Sequence, residues 1–124
     1  MDNDGDLDII SSSQGDDAIA WYENNGAADP SFTAADIATS ADEAKSVEVA
    51  DMDNDGDLDI VSASKADNTI AWYENNGAAD PTFTAADIAT SAAGANKVSL
   101  VDIDNDGDIA VSYTHLTLPT SDLV

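Results

Sequence analysis

Short runs of alternating apolar and polar residues, separated by turn-forming residues, recur along this chain. In its central part, residues 46–50 alternate valine with polar residues, and residues 57–64 begin with the same alternation. A two-residue period is typical of β-strands. Two further strands are predicted at 69–74 and 83–90, and the second of these is rich enough in alanine to be partly helical. Four strands in about 50 residues is the size of one propeller blade.

The same pattern occurs more than once. A shift of 51 residues aligns residues 2–50 with residues 53–101 without a gap, and most aligned positions are identical. Repeats of this length are typical of propellers, solenoids and arrays, in which each unit packs against its neighbours. We therefore predict an all-β partial β-propeller whose blades contain four antiparallel strands, with about two blades and the start of a third.

This repeat divides the chain into four parts: 1–44 as a partial first blade, 45–95 as a complete second blade, 96–109 as the start of a third, and 110–124 as a tail. Met1 aligns with Met52, which is an internal residue of the repeat, so we expect the reading frame to extend upstream. The tail matches nothing earlier in the chain.

The tail resembles the conceptual translation of a sequencing adaptor, and we predict that residues 110–124 are non-native. The repeat requires Asp where Ala110 stands. All Asp codons begin with G, and a G joined to an adaptor that begins with CT encodes alanine. His115, the single histidine, lies in this tail and carries no catalytic hypothesis.

The most informative stretch is an acidic loop between the first two strands of the complete repeat. Carboxylates stand at every second position of this loop: Asp51, Asp53, Asp55, Asp57 and Asp59. Ca²⁺ takes six to eight oxygen ligands, and alternate aspartates on a tightly curled loop point into one cavity. We predict that Asp57 contributes its backbone carbonyl and the other four their side chains. Gly56 permits the turn, while Asn54 and Leu58 point away.

Two partial copies of this loop flank the complete one. The first keeps Asp2, Asp4, Asp6 and Asp8 but lacks the leading ligand; the third keeps Asp102, Asp104, Asp106 and Asp108 but has Ala110 at the closing position. We therefore expect calcium to bind most tightly at the middle loop. Carboxylates crowded this closely repel one another, so the loops should become ordered on binding a cation.

Two other classes of acidic segment, a helix-flanked calcium module and a solvated acidic face, agree less well with this sequence. An EF-hand or dockerin-like module requires an acidic residue at position twelve and flanking helices, but Ser62 stands there, inside a predicted strand. A solvated acidic face has no reason to repeat the same spacing and glycine three times.

With Asp51, Asp53, Asp55, Gly56 and Asp59 followed by an Ile-Val strand, the sequence resembles the FG-GAP and VCBS-type repeats of integrin alpha-like propellers and large secreted bacterial proteins. This resemblance covers residues 1–109. It implies calcium loops in a β-propeller that serves as an interaction and cell adhesion scaffold, at the cell surface or outside the cell. The alternative is the propeller of an extracellular polysaccharide-degrading enzyme, with its catalytic residues outside this chain.

The amino-acid composition limits the classes of partner that this chain is expected to bind. Three Lys+Arg against 26 Asp+Glu give a formal charge of −23, which repels nucleic acid and anionic membranes and favours cations. Hydrophobic residues make up 43% of the chain, too many for a disordered acidic protein. No cysteine is available for disulfides or thiolate metal sites. A protein or carbohydrate ligand of the full propeller remains the expected further partner.

Two repeated pairs of residues have both a structural and a functional interpretation. The Trp-Tyr pairs at 21–22 and 72–73 fit a sugar-stacking surface, but identical placement in each repeat favours blade core. Glu23 and Glu74 suggest an acid and base, yet a pair on separate blades gives no single catalytic centre. We predict no catalytic residue in this chain. Asn75-Asn76-Gly77 and its copy are interpreted as turns.

Overall fold

The computed structural model describes residues 1–114. This part of the chain contains nine β-strands and no helix. In chain order the strands are β1 (Ile9–Ser13), β2 (Ala18–Asn24), β3 (Phe32–Ala38), β4 (Ala44–Ala50), β5 (Asp59–Ser64), β6 (Thr69–Asn75), β7 (Phe83–Ala89), β8 (Lys97–Val101) and β9 (Ala110–Thr114). In this same part of the chain, no helix that could cross a membrane is present.

The strands form three antiparallel sheets. The middle sheet is a four-stranded meander in the order β4-β5-β6-β7. The first sheet, β1-β2-β3, contains the repeat counterparts of β5, β6 and β7, and the third sheet, β8-β9, those of β4 and β5. The predicted fold class is confirmed: the chain is an all-β partial propeller with one four-stranded blade between two smaller sheets.

Equivalent residues pair in the same register in the first two sheets. Ile60 pairs with Tyr73 across β5 and β6, and the counterpart Ile9 pairs with Tyr22 across β1 and β2. A register shift also occurs at the same place in both sheets, at the start of β2 and of β6. One repeated sequence therefore folds twice into the same hairpin, because side-chain alternation and turn chemistry together specify the register.

The middle blade is buried on both faces because it lies between the other two sheets. Ile60 and Tyr73 belong to a hydrophobic cluster shared with Ile19 of the first sheet. Val61, next to Ile60, belongs to a second cluster shared with Val98 of the third sheet. All six residues of β5 are consequently buried, including Asp59. Successive side chains point to opposite faces of a strand, so β5 contributes to both clusters.

The turn of each hairpin supports the connection to the next sheet. The side chain of Asp17 accepts a hydrogen bond from the amide of Glu43 over 3.0 Å, and Asn68 accepts from Gly94 over 3.0 Å. Glu43 and Gly94 are repeat counterparts, and both have positive φ, at 52° and 68°. This conformation strains a side-chain-bearing residue but not glycine, so the first repeat carries strain that the second avoids.

Several predicted boundaries differ from the structure. The strand predicted at 57–64 begins at Asp59, because residues 57 and 58 belong to the acidic loop. The strand predicted at 46–50 begins earlier, at Ala44, and the segment from Phe83 to Ala89 is entirely strand, so its partly helical alternative was wrong. Residues 110–114 of the predicted non-native tail form β9 and pair with β8. Residues 115–124 of that tail lie outside the described residues.

Candidate metal centre

The three acidic loops have the same backbone curl. The middle loop connects β4 to β5, and within it Asn54 and Gly56 have φ values of 61° and 96°. The same positive-φ pair occurs in the other two loops, at Asn3 with Gly5 and at Asn105 with Gly107. Asparagine and glycine tolerate this left-handed region better than other residues. Two such residues within three positions curl the loop so that alternate carboxylates can face one another.

Three carboxylates converge in the middle loop. One oxygen from each of Asp51, Asp53 and Asp59 lies within 4.8 Å of the others. Ca²⁺ binds oxygens at about 2.3 to 2.6 Å, so two ligands of one ion lie up to about 5 Å apart. The donor set, made only of carboxylate oxygens, and its spread therefore fit a hard divalent cation.

Asp59, the last of the three, is held by the blade itself. Its side chain is fully buried, and its two oxygens accept hydrogen bonds from the amide of Met52 over 3.0 Å and from the amide of Asn75 over 2.8 Å. Met52 lies in the loop, whereas Asn75 ends β6. Asp59 thus connects the acidic loop to two strands of the blade, and buried charge is satisfied by backbone donors.

Asp51, the first of the three, is held by the loop alone. Its oxygens accept hydrogen bonds from the amide of Asp55 over 3.1 Å and from the amide of Gly56 over 2.9 Å. The carboxylate of Asp55 accepts from the amide of Asp57 over 2.9 Å, and it does not join the converging group. The structure therefore brings together three of the four predicted side-chain ligands.

Asp53 lies close to the other carboxylates of the middle loop. Desolvation, followed by the charges of Asp55 and Asp59, raises the pKa of its carboxyl group above the ordinary value. A raised pKa means that the ionised form is disfavoured where it stands. A bound cation would reverse this electrostatic penalty, because it favours the ionised form of every surrounding carboxylate.

The third loop forms a different group. Asp102 accepts hydrogen bonds from the amides of Asp106 and Gly107 over 3.1 and 2.9 Å, as Asp51 does in the middle loop. The converging carboxylates are Asp102, Asp104 and Asp106. Asp108 lies outside this group, and Ala110, at the closing position, offers no carboxylate.

The first loop has no converging group of three carboxylates within the described residues. Asp2 and Asp4 accept hydrogen bonds from amides two residues later, and Asp6 lies against Gly26. Asp8, the counterpart of Asp59, accepts from the amide of Asn24 over 3.0 Å and from the terminal amine of Met1. Desolvation raises the pKa of Asp8, but these hydrogen bonds outweigh it and the pKa lies below its ordinary value.

A family model for the FG-GAP-like repeat matches this chain twice, at residues 1–62 and at residues 51–111. The chain belongs to the FG-GAP-like repeat family. Both matches include the middle loop, and the second also includes the third loop. No curated protein and no solved structure gives a significant match to the chain. FG-GAP-like repeats form propeller-type domains, in agreement with the sheets described above.

Asn75 of this FG-GAP-like chain, which its sequence predicts only as part of a turn, has a larger role. Asn75 is 1% exposed, and its side-chain amide donates to the carbonyls of Leu58 and Met1, each over 3.1 Å. Its side-chain oxygen accepts from the amide of Gly77 over 3.0 Å. Asn75 therefore joins the middle loop, the first loop and its own turn. The recurrence of Asn24, which donates to Leu7 over 3.0 Å, was the signal in the sequence.

Two of the four repeated aromatic residues of the FG-GAP-like repeats, one in each repeat, are buried in the blade core. Trp21 is 4% exposed and Tyr73 is 6% exposed, and Tyr73 packs in the cluster shared by the first two sheets. Burial raises the pKa of Tyr73 above its ordinary value. A sugar-stacking platform needs an exposed ring face. The interpretation as core is therefore confirmed for these two rings.

Proposed function

We propose that this chain is a calcium-stabilised structural and interaction module of a secreted or cell-surface propeller. It acts as a scaffold for adhesion or ligand binding rather than as a catalyst. Its membership of the FG-GAP-like repeat family supports a structural and interaction role. The protein or carbohydrate partner would bind the propeller of which these blades are a part, with calcium as the partner of this chain itself.

The observation that carries the proposal is the convergence of Asp51, Asp53 and Asp59 within 4.8 Å. These side chains would hold the ion, which supplies positive charge and accepts oxygen ligands. Asp51 and Asp53 come from the loop and Asp59 from β5. An ion shared by them would therefore fasten the loop to the blade, and it would reduce the self-repulsion of a chain with a formal charge of −23.

The test is a calorimetric calcium titration of the full chain, with circular dichroism recorded on the same samples. We expect saturable binding together with a rise in the unfolding temperature, because an ion bound only by the folded state stabilises it. Asp53→Ala should weaken binding at the middle loop by on the order of tenfold or more, since it removes one charged ligand.

Asp29→Ala is the matched control for this experiment. Asp29 is exposed and lies outside the acidic loops, so its substitution changes the net charge equally and should leave calcium affinity unchanged. The proposal is wrong if the unaltered chain shows no saturable binding, or if the two variants lose affinity to the same extent.

A further inference from the structure

Neighbouring acidic loops are joined by side-chain hydrogen bonds that repeat with the blades. Asn3 of the first loop donates from Nδ2 to Oδ1 of Asp57 in the middle loop over 2.6 Å. Asn54 of the middle loop donates in the same way to Asp108 in the third loop over 2.9 Å. Counted from Asp51, the donor is residue four of one loop and the acceptor is residue seven of the next. Two equivalent occurrences make this contact a property of the repeat.

The direction of each donor depends on the curl of its own loop. Asn3 and Asn54 have φ values of 62° and 61°, and each precedes a positive-φ glycine by two residues. A side chain in this left-handed conformation leaves the backbone in a direction that an uncurled loop does not offer. The inter-loop hydrogen bond therefore depends on the curled conformation of the donating loop.

The aspartate that accepts each inter-loop hydrogen bond also stands at a position that matters for metal binding. Asp57 is the residue whose backbone carbonyl we predict as a ligand, and Asp108 stands at the same position of the third loop. A fixed side chain also restrains the backbone that carries it. Described ion pairs involve Glu43 and Asp8, but neither Asp57 nor Asp108. In residues 1–114 each of these two carboxylates instead accepts a hydrogen bond from a neutral donor, the asparagine side-chain amide of the preceding loop.

We propose that Asn3 and Asn54 are positioning residues that couple calcium binding in one loop to calcium binding in the next. This inference rests on the proposed function. An ion that orders the middle loop aims the Asn54 amide at Asp108 and so restrains residue seven of the third loop before its own ion arrives. The third loop then loses less conformational freedom on binding, which is positive cooperativity. The coupling is reciprocal for the two binding free energies.

The strength of coupling should differ between the two pairs of loops. The first and middle loops have a second connection, because the buried Asn75 amide donates to the carbonyls of Met1 and Leu58. For the middle and third loops, the described residues provide the Asn54 contact but no counterpart of Asn75. Loss of Asn54 should therefore uncouple its pair of loops more completely than loss of Asn3.

The experiment is a calcium titration of the full chain followed by ¹H–¹⁵N NMR at the amides of Gly56 and Gly107. Each amide donates to the leading aspartate of its own loop over 2.9 Å, so each reports binding in that loop alone. Asn54→Gly removes the side-chain amide and preserves the positive-φ backbone. We expect the Gly107 midpoint to move to about fivefold higher calcium, the size of effect expected from one hydrogen bond. The midpoint of Gly56 should change little because the more complete middle loop fills first.

Asn105→Gly is the matched control, since it makes the same substitution at residue four of the third loop. Among residues 1–114, the Asn105 side chain has no loop that follows it to contact. This variant should leave the separation between the two midpoints unchanged. An Asn54→Gly variant that keeps the original separation would overturn the coupling while leaving the proposed function intact. If neither glycine of the unaltered chain responds to calcium, both the proposed function and the coupling are wrong.

Discussion

The middle and third acidic loops have the same local structure but different groups of converging carboxylates. In both, the leading aspartate accepts hydrogen bonds from the amides four and five residues later, over 3.1 and 2.9 Å. The middle group takes its last member, Asp59, from β5. The third group stays within the loop, and Ala110 stands at the closing position. The curl is therefore a local property of the loop, whereas the closing ligand is a property of the blade.

The difference shows why a complete blade matters to the site. Asp59 is oriented by the amide of Asn75, which ends β6 and lies in the strand next to β5. The third sheet consists of β8 and β9 within the described residues, so it provides no counterpart of β6 there. A buried carboxylate needs donors around it, and one of the two donors to Asp59 comes from the neighbouring strand. The candidate site is therefore more complete in the four-stranded sheet, which has a strand to orient the closing carboxylate.

The largest effect should come from removing the closing carboxylate of the middle loop. Asp59→Ala leaves the part-buried amide of Met52 and the buried amide of Asn75 without an acceptor, which should lower the free energy of unfolding by about 2 to 4 kcal/mol. Calcium affinity at this loop should fall as well. Denaturant unfolding and calorimetry measure the two effects. Asp59→Asn keeps one acceptor oxygen and should cost less; equal costs would contradict the assigned role.

Supplying the missing carboxylate in the third loop is the reverse experiment. Ala110→Asp should raise the calcium affinity of this loop by on the order of tenfold, because it adds a charged ligand at the position of Asp59. The gain in stability should be smaller than the loss in Asp59→Ala, because the described structure offers no β6 counterpart to donate to the new side chain. Ser112→Asp places the same charge two residues later and is the control. Calorimetry should show a gain only for Ala110→Asp.

A third prediction concerns Asp57, which in the middle loop lies against the turn that follows β6. A Cβ added at Gly77 would overlap the Asp57 carboxylate, and Gly77 has a φ of 70°. Gly77→Ala should therefore cost about 1 to 3 kcal/mol of stability. In an Asp57→Ala background the overlap is gone, and the cost should fall to that of the positive φ alone. A double-mutant cycle by denaturant unfolding that shows strict additivity would contradict this contact.

The smallest predicted effect extends the comparison to the first and second repeats. Glu43 has a φ of 52° where the second repeat has Gly94. Glu43→Gly should relieve strain of about 1 to 2 kcal/mol, partly offset by the greater entropy of glycine in the unfolded chain. The substitution also removes the exposed ion pair between Glu43 and Lys65, at 3.6 Å, and this loss should change the stability little. We expect a net gain of about 0.5 to 1 kcal/mol in denaturant unfolding. Glu43→Asn should also stabilise, and no gain in either variant would show that the strain is absent.

Much of the fold could be predicted because its signals are local and repeated. Alternating residues and turn signals identify the strand that became β6 almost to its ends, at Thr69–Asn75. The start of β5 was less predictable, because residues 57 and 58 continue the alternation of the strand but belong to the loop. The partners of Asn75 and Asn54 were not predicted. Each of these two side chains has an acceptor in a neighbouring repeat, Met1 for Asn75 and Asp108 for Asn54, and a pattern along one repeat contains no information about contacts between repeats.

By itself, the sequence determined the repeat, the strand content, the spacing of the carboxylates and the curl of each loop. These properties depend on a few neighbouring residues, such as Asn54 and Gly56, whose backbone preferences are intrinsic. Only the tertiary structure decided which carboxylates meet and how the loops contact one another. Asp59 is oriented by a strand that follows it, and Asp108 is contacted by Asn54 from the preceding loop. The first contact requires β6 to pair with β5 in one sheet. The second requires neighbouring sheets to pack together, because packing brings residues of different repeats within hydrogen-bonding distance.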